Sequence, residues 1–330
     1  MLRARMTGRG HRGKGLSQFL NHWAVVSPQL RPANRAFAAR AAAKGALGGP
    51  HIRDLSDAWA RCHDLMRRPA IITAAAMKPE TSPAAGQPMP TALVTGSSRG
   101  IGAAIASALE ARGLAVIRHG TRAAGPMTLA ADLSDAAATA RLWDDACALA
   151  ADTASGRIDV LVNNAGVFEA SPISGTDAYW LAEWERCLRV NLTSAAQLSR
   201  LAVKGWLEGG LPGRLVNIAS RSAYRGDSPD HWHYAAAKAG EVAMTKTIAR
   251  AYAKKGILAF AICPGFTDSS GGNAEDYLAS RGGPALLNDI PLGRVALPTE
   301  IAAMAAFCAS DAPPSMTGAV LDANGASYVR

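Results

Sequence analysis

No run in the 330-residue chain approaches the roughly 18 consecutive apolar residues of a membrane-spanning helix. Nothing in it therefore reads as a transmembrane segment, and no membrane partner is expected. The five cysteines (Cys62, Cys147, Cys187, Cys263, Cys308) are scattered, with no CxxC pair and no histidine at ligand spacing. That pattern excludes a disulfide framework and a zinc site, and no metal is called for. Buried, reduced thiols in a cytoplasmic protein are the expectation. Aromatic residues make up only 6% of the chain, too few for a base-stacking platform. Residues 1–50 lack acids altogether, which is not the composition of a folded domain.

The charge is unevenly placed. Residues 1–90 hold 14 Lys and Arg against four acids, whereas residues 91–330 hold 21 basic and 22 acidic residues. The net charge of +9, which would suggest nucleic acid, is thus confined to an extension that is expected to be disordered. No nucleic-acid partner is expected for the neutral body. The extension is not a secretory signal, because no apolar segment follows Arg3 and Arg5. A transit peptide for an organelle, a dispensable tail, or a start upstream of a true one at Met77 all remain open. The last would leave 254 residues, so the division is drawn at 76/77.

From Thr91 onwards, short apolar runs alternate with helical stretches. The strand candidates are 92–95, 115–119, 127–131, 160–162, 214–218, 258–263 and 319–322, and the helix candidates are 102–112, 136–151, 179–207, 234–255 and 299–309. This alternation predicts a single Rossmann-type α/β domain, a doubly wound parallel sheet with helices on both faces. The link over 120–126 is too short for the helix that usually joins the second and third strands.

The first strand runs into Thr95-Gly96-Ser97-Ser98-Arg99-Gly100-Ile101-Gly102. Gly96 permits a tight turn, Gly100 lets the backbone approach a pyrophosphate, and Gly102 lets the following helix pack closely. The free N–H groups of that helix then face the anion. The spacing is GxxxGxG, and further along come Asn163-Asn164-Ala165-Gly166, Tyr234-Ala235-Ala236-Ala237-Lys238 and Pro264-Gly265. In this order the motifs resemble the short-chain dehydrogenase/reductase family over about residues 91–330. The C-terminal stretch looks most like bacterial 3-oxoacyl-carrier-protein reductases.

Reducing a carbonyl needs a hydride and a proton. A tyrosine hydroxyl titrates near 10 and is a poor acid-base group at neutral pH unless its phenolate is stabilised. Lys238 lies one helical turn after Tyr234, so its ammonium is expected to lower the phenol's pKa. The resemblance implies that Tyr234 donates the proton, Ser220 polarises the carbonyl, and Lys238 also binds the nicotinamide ribose. It further implies that Asn191 completes a proton relay through a distorted helix. Ser222 stays open as the alternative to Ser220.

The second strand ends in Arg118-His119-Gly120-Thr121-Arg122, with no acid before Asp132. A carboxylate there would hold the ribose of NAD; with Arg99 and Arg122 in its place, NADP(H) is expected over NAD(H). The resemblance adds Asp132 and Leu133 at the adenine, Asn163 bracing the central strand, and Ala165 and Gly166 along the ribose. It also places Ser269, with Thr267 as the alternative, at the cofactor amide. Residues 270–290 read as a flap over the substrate. The implied activity interconverts a ketone and a secondary alcohol, with a 3-oxoacyl thioester first and another small alcohol, sugar or cyclic ketone second. Implied partners are an acyl-carrier protein, although Lys254 and Lys255, which could meet it, read first as a solvated helix end, and further copies of the chain in a homotetramer, with a dimer second. A catalytically silent dinucleotide-binding regulator is disfavoured by the presence of Ser220, Tyr234 and Lys238 together.

Overall fold

A computed structural model describes residues 88–269, 274–279, 281 and 283–330. The basic extension, Cys62 and the division at 76/77 lie outside the described residues.

Seven strands form one sheet: β1 (Thr91–Val94), β2 (Ala115–Gly120), β3 (Thr128–Ala130), β4 (Val160–Asn163), β5 (Gly213–Ile218), β6 (Ile257–Pro264) and β7 (Val320–Ala323). Their order is β3-β2-β1-β4-β5-β6-β7, and every neighbouring pair is parallel. The chain reverses direction across the sheet between β1 and β4. That switch opens a crevice at the carboxyl ends of the strands, where ligands bind in such folds.

Helices cover both faces because successive strand residues point to opposite sides. Val94, Val116, Val216 and Phe260 pack with Ile105 and Leu109 of α1 (Gly100–Glu110) and Ile301 and Ala305 of α8 (Pro298–Ser310). Leu93, Ile117, Leu161 and Leu215 face the other way. There they meet Leu142 and Trp143 of α2 (Ala136–Ala151), Leu198 and Trp206 of α4 (Ser194–Glu208), and Ala249 of α6 (Trp232–Tyr252). Fully burying each large aliphatic side chain is worth about 1.5–3 kcal/mol. The run of eight buried residues in β6 therefore anchors the centre of the domain. The expected doubly wound fold is present.

Local chemistry sets the helix ends. Asp135 caps α2 by accepting from the Ala137 N–H at 2.7 Å, and Pro298 opens α8 while Glu300 accepts from the Leu297 N–H at 2.7 Å. No helix lies between β2 and β3, as the short link predicts. The expected helix over 179–207 is divided: α3 (Asp177–Leu188) passes through a π-helical turn at Arg189–Thr193 into α4. Between β5 and α6 stands one four-residue helix, α5 (Ser222–Arg225).

One further expectation changes. Cys187, Cys263 and Cys308 are buried, but Cys147 is exposed, because it lies on the solvent side of α2 between the buried Ala146 and Ala150. Within the expected flap, α7 (Ala274–Ala279) and a 3-10 stretch at Gly283–Asp289 pack through Tyr277, Ile290 and Val295 against Phe266. Residues 270–273, 280 and 282 lie outside the described residues.

Candidate active site

The glycine loop leaves β1 through Gly96 (φ +63°) and Gly100 (φ +57°), left-handed conformations that other residues adopt only at a cost. A methyl group added to Gly102 would lie 2.2 Å from the Gly96 carbonyl oxygen and 2.4 Å from Asn164 Nδ2. Only glycine allows α1 to start this close to the loop. Arg99 precedes α1 without a side-chain cap, so the first N–H groups of the helix lack the usual internal acceptor. Asn164 clamps the loop from β4. Its Nδ2 donates to the Thr95 and Gly96 carbonyls at 2.9 and 3.0 Å, and its N–H donates to Thr95 Oγ1 at 2.9 Å.

His119 holds the loop from the other side. Its Nδ1 accepts from the Gly96 N–H at 3.1 Å, its Nε2 lies 3.2 Å from the Ala131 carbonyl, and its backbone bonds Ser97. Accepting at Nδ1 requires a neutral ring, and burial lowers its pKa from 6.5. A folded pKa below the unfolded one makes this contribution complete above 6.5 and lost as pH falls toward the folded value. Urea unfolding at pH 7.5 and 5.5 should therefore show wild type losing more stability on acidification than His119→Gln, whose amide does not titrate. Equal losses would remove His119 as the cause.

The catalytic residues expected from the sequence converge at one crevice of about 270 Å³, lined by Ser220, Tyr234, Lys238 and Asn191. Tyr234 and Lys238 share a face of α6, with Nζ 5.9 Å from the phenol ring centroid. Ser220 follows β5, and the Ile218 carbonyl two residues earlier accepts from Lys238 Nζ at 2.9 Å. Asn191 lies in the π turn and is fully buried. Its Oδ1 accepts from the Val167 N–H and its Nδ2 donates to the Val167 carbonyl, both at 3.0 Å. A methyl group on Gly166 would lie 2.6 Å from Asn191 Oδ1 and 3.8 Å from Lys238 Nζ. The Asn-Asn-Ala-Gly turn, Asn191 and Lys238 therefore meet at one point.

Electrostatics here differ from the expectation for Tyr234. Burial pushes its pKa up, and the Lys238 ammonium and a Ser220 hydrogen bond only partly counter this, leaving it above 10. Glu241 adds a smaller push in the same direction through its charge. It lies one turn beyond Lys238 and its Oε2 accepts from Nζ at 2.7 Å, with both side chains almost fully buried. Burial raises the carboxyl from 4.5 to about 7 against the pull of Lys238. Burial also opposes the charge on Lys238, but Glu241 and Tyr234 outweigh it and raise the ammonium pKa. Glu241 is a functional residue that sequence reasoning missed, although the i, i+3 spacing from Lys238 was a visible signal.

Ser220 Oγ donates to Ser222 Oγ at 3.0 Å, and Ser222 in turn donates to the Asp227 carboxylate. The Ser222 proton is thus committed to Asp227, a second residue sequence reasoning missed. Asn163 braces the sheet as expected. Its Nδ2 donates to Asn217 Oδ1 at 2.8 Å and Ser199 Oγ at 3.0 Å, while its Oδ1 has no partner.

Of the residues assigned to the cofactor, Ile101, Gly166, Pro264, Gly265, Thr267 and Ser269 line the same crevice. A methyl group on Gly120 would touch Ser98 Cβ at 3.4 Å, and one on Gly100 would meet Ser269 Cβ at 3.2 Å. The loop after Pro264-Gly265 therefore faces the glycine loop. Thr267 is buried and donates to the Gly265 carbonyl at 3.1 Å; Ser269 and Thr267 both line the crevice with Ile101, Pro264 and Gly265. Ala165 packs against Gly96. Arg99, Thr121 and Arg122 are exposed, and among the described residues neither arginine makes an ion pair. Arg118, by contrast, is tied to Glu110 at 2.9 Å. Asp132 is exposed; hydrogen bonds from Ser134 hold its carboxyl below the usual range, while the neighbouring Leu133 is buried. An uncapped helix start, a glycine cradle with no room for a methyl group and two free guanidiniums fit a phosphorylated dinucleotide.

The family model described as Enoyl-(Acyl carrier protein) reductase matches residues 96–325. The 3-oxoacyl-[acyl-carrier-protein] reductase of Vibrio harveyi is 33% identical over 254 residues, covering 72% of this chain and 97% of the relative. The 3beta-hydroxysteroid dehydrogenase 1 of Eggerthella lenta is 36% identical over 245 residues, 71% of this chain and 92% of the relative. Among solved structures, a putative 2-deoxy-d-gluconate 3-dehydrogenase from Agrobacterium tumefaciens with bound NADP superposes with a TM-score of 0.63 at 31% identity. It covers 73% of this chain and 97% of that one.

Proposed function

Because this chain belongs to the short-chain dehydrogenase/reductase family of oxidoreductases, we propose that it interconverts a ketone and a secondary alcohol using NADP(H) in preference to NAD(H). The observation that carries the reading is the convergence of Tyr234, Ser220 and Lys238 on one crevice beside the glycine loop. Residues 77–330 would form the working reductase domain.

When bound, the dinucleotide supplies or accepts the hydride; the chain manages the substrate oxygen and its proton. Tyr234 donates its hydroxyl proton to the developing alkoxide. Ser220 turns its hydroxyl from Ser222 towards the carbonyl oxygen and stabilises charge there. Lys238, held by the Ile218 carbonyl and Glu241, lowers the cost of the phenolate and has a remaining N–H for the ribose. Asn191 holds the turn at Val167 against the same cluster and stands where a water could link Lys238 to solvent. Arg99 and Arg122 would meet the 2′-phosphate, Ser98, Thr121, Asp132 and Leu133 the adenosine half, and Thr267 and Ser269 the amide end.

The relatives support a soluble carbonyl substrate but span acyl thioesters, steroids and sugars by their names. A 3-oxoacyl thioester, presented on coenzyme A or a carrier protein, heads the panel to be assayed. NADPH should bind more tightly than NADH, and Arg122→Ala should reduce that preference by roughly 10-fold, the loss of one charge-assisted hydrogen bond. Fluorescence titration of both dinucleotides checks this. Tighter binding of NADH would overturn the cofactor assignment, and no turnover of any carbonyl in the panel would overturn the reaction class.

A further inference from the structure

Arg221 follows Ser220 directly and lines the same crevice, yet it is only 7% exposed. Its guanidinium lies 4.2 Å from the centroid of the Phe266 ring, and Nη1 donates to Ser327 Oγ at 2.5 Å. Among the described residues no carboxylate forms an ion pair with it. Asp227 and Asp289 support its charge from further away, but Arg225 opposes it and Asp289 is paired with Arg225 at 3.7 Å. A buried cation with five donors and one neutral hydroxyl partner is costly unless something else completes it. Arg281, at the rim, stacks its guanidinium over Phe168 at 4.7 Å and likewise has no ion-pair partner among the described residues. Each guanidinium lies over an aromatic ring, an arrangement that leaves edge donors for a planar acceptor.

We propose that Arg221, with Arg281 at the rim, forms an anion subsite in this crevice, and that the substrate is a carbonyl compound or alcohol carrying a carboxylate. The inference rests on the reductase reading and narrows it. Because Ser220 and Arg221 line one crevice, the carboxylate and the reacting carbon belong to one small molecule. A 3-oxoacyl thioester has no charge there, so the subsite favours small oxo or hydroxy acids.

The test uses the full 330-residue chain with saturating NADP⁺, so that the phosphate site of the cofactor is closed to competing anions. Thermal melts are recorded with succinate, with uncharged succinamide and with inorganic phosphate at equal ionic strength. Succinate should raise Tm, and the other two should not. Arg221→Met should remove the succinate shift and weaken binding roughly 10- to 100-fold, the loss of charged hydrogen bonds. It should remain folded, because an apolar replacement of an unpaired buried cation is neutral or stabilising. Arg221→Lys keeps the charge without the planar fork and should retain part of the shift. Equal shifts with succinate and succinamide, a shift with phosphate in place of succinate, or an undiminished succinate shift in Arg221→Met would each overturn the subsite. If NADP⁺ itself fails to raise Tm, the reductase reading falls separately, and the succinate comparison still decides the subsite.

Discussion

Tyr234→Phe lowers kcat for carbonyl reduction by about 10²- to 10⁴-fold, the usual worth of a positioned general acid, while NADPH binding and thermal stability stay near wild type. The substitution deletes one oxygen and keeps the ring that packs edge-on against Phe168 at 4.8 Å. Lys238 keeps its contacts to Ile218 and Glu241, so the cluster does not collapse. Neither Ser220 nor Lys238 replaces the acid at neutral pH. Ser220 is a weak acid whose role is to donate a hydrogen bond, and the Lys238 ammonium is turned towards a carbonyl and a carboxylate. Steady-state kinetics with tryptophan-fluorescence titration of NADPH separates the two effects. Full activity in Tyr234→Phe would show that the proton comes from elsewhere.

The second large effect is at Glu241. Glu241→Ala leaves the Lys238 ammonium buried without its carboxylate, a change that typically costs about 3–5 kcal/mol. For a domain of this size the melting temperature should fall by about 6–20 °C. Removing both charges in Lys238→Met/Glu241→Leu should restore much of that stability but not the activity, and the double-mutant cycle gives the coupling. A merely structural role would stop there. Glu241 also raises the pKa of Tyr234 through its charge, so Glu241→Gln should shift the Tyr234-controlled limb of the kcat–pH profile to lower pH. An unmoved limb would confine Glu241 to packing. In wild type the Glu241 carboxyl, raised from 4.5 to about 7, gives stability that is complete below 4.5 and lost as pH rises through 7. His119 acts in the opposite sense over part of the same interval, so single variants are needed to resolve either slope.

Burial explains why the Tyr234 phenol is not simply lowered by Lys238. It outweighs the lysine's field, and the Glu241 charge adds a smaller push in the same direction. The spacing of Tyr234 and Lys238 was visible in the chain because it is a local property of an α-helix. So was the i, i+3 position of Glu241. What the spacing could not show is that this face of α6 is turned towards β5 and the π turn instead of solvent. The small residues around it (Ala237, Ala239, Gly240) suit either environment.

Several residues were legible by type but not by partner. In the Asn163-Asn164 pair, alternation along β4 sends one side chain to Asn217 and Ser199 and the other to the glycine loop. His119 and Arg221 look like ordinary surface residues until the sheet brings Gly96 to one and Phe266 and Ser327 to the other. These contacts join residues 23, 45 and 106 positions apart, and no local pattern encodes them.

By itself the sequence determined the alternation that makes a doubly wound sheet, the glycine loop, the Tyr234–Lys238 helix and the neutrality of the body once the basic extension is set aside. Each depends on a period or spacing of a few residues, which backbone geometry converts directly into structure. The tertiary structure alone decided which charges are buried and what compensates them: Glu241 against Lys238, and for Arg221 no ion pair among the described residues. A charge in water costs little wherever it sits in the sequence. Its consequences appear only when distant elements close around it and remove the solvent.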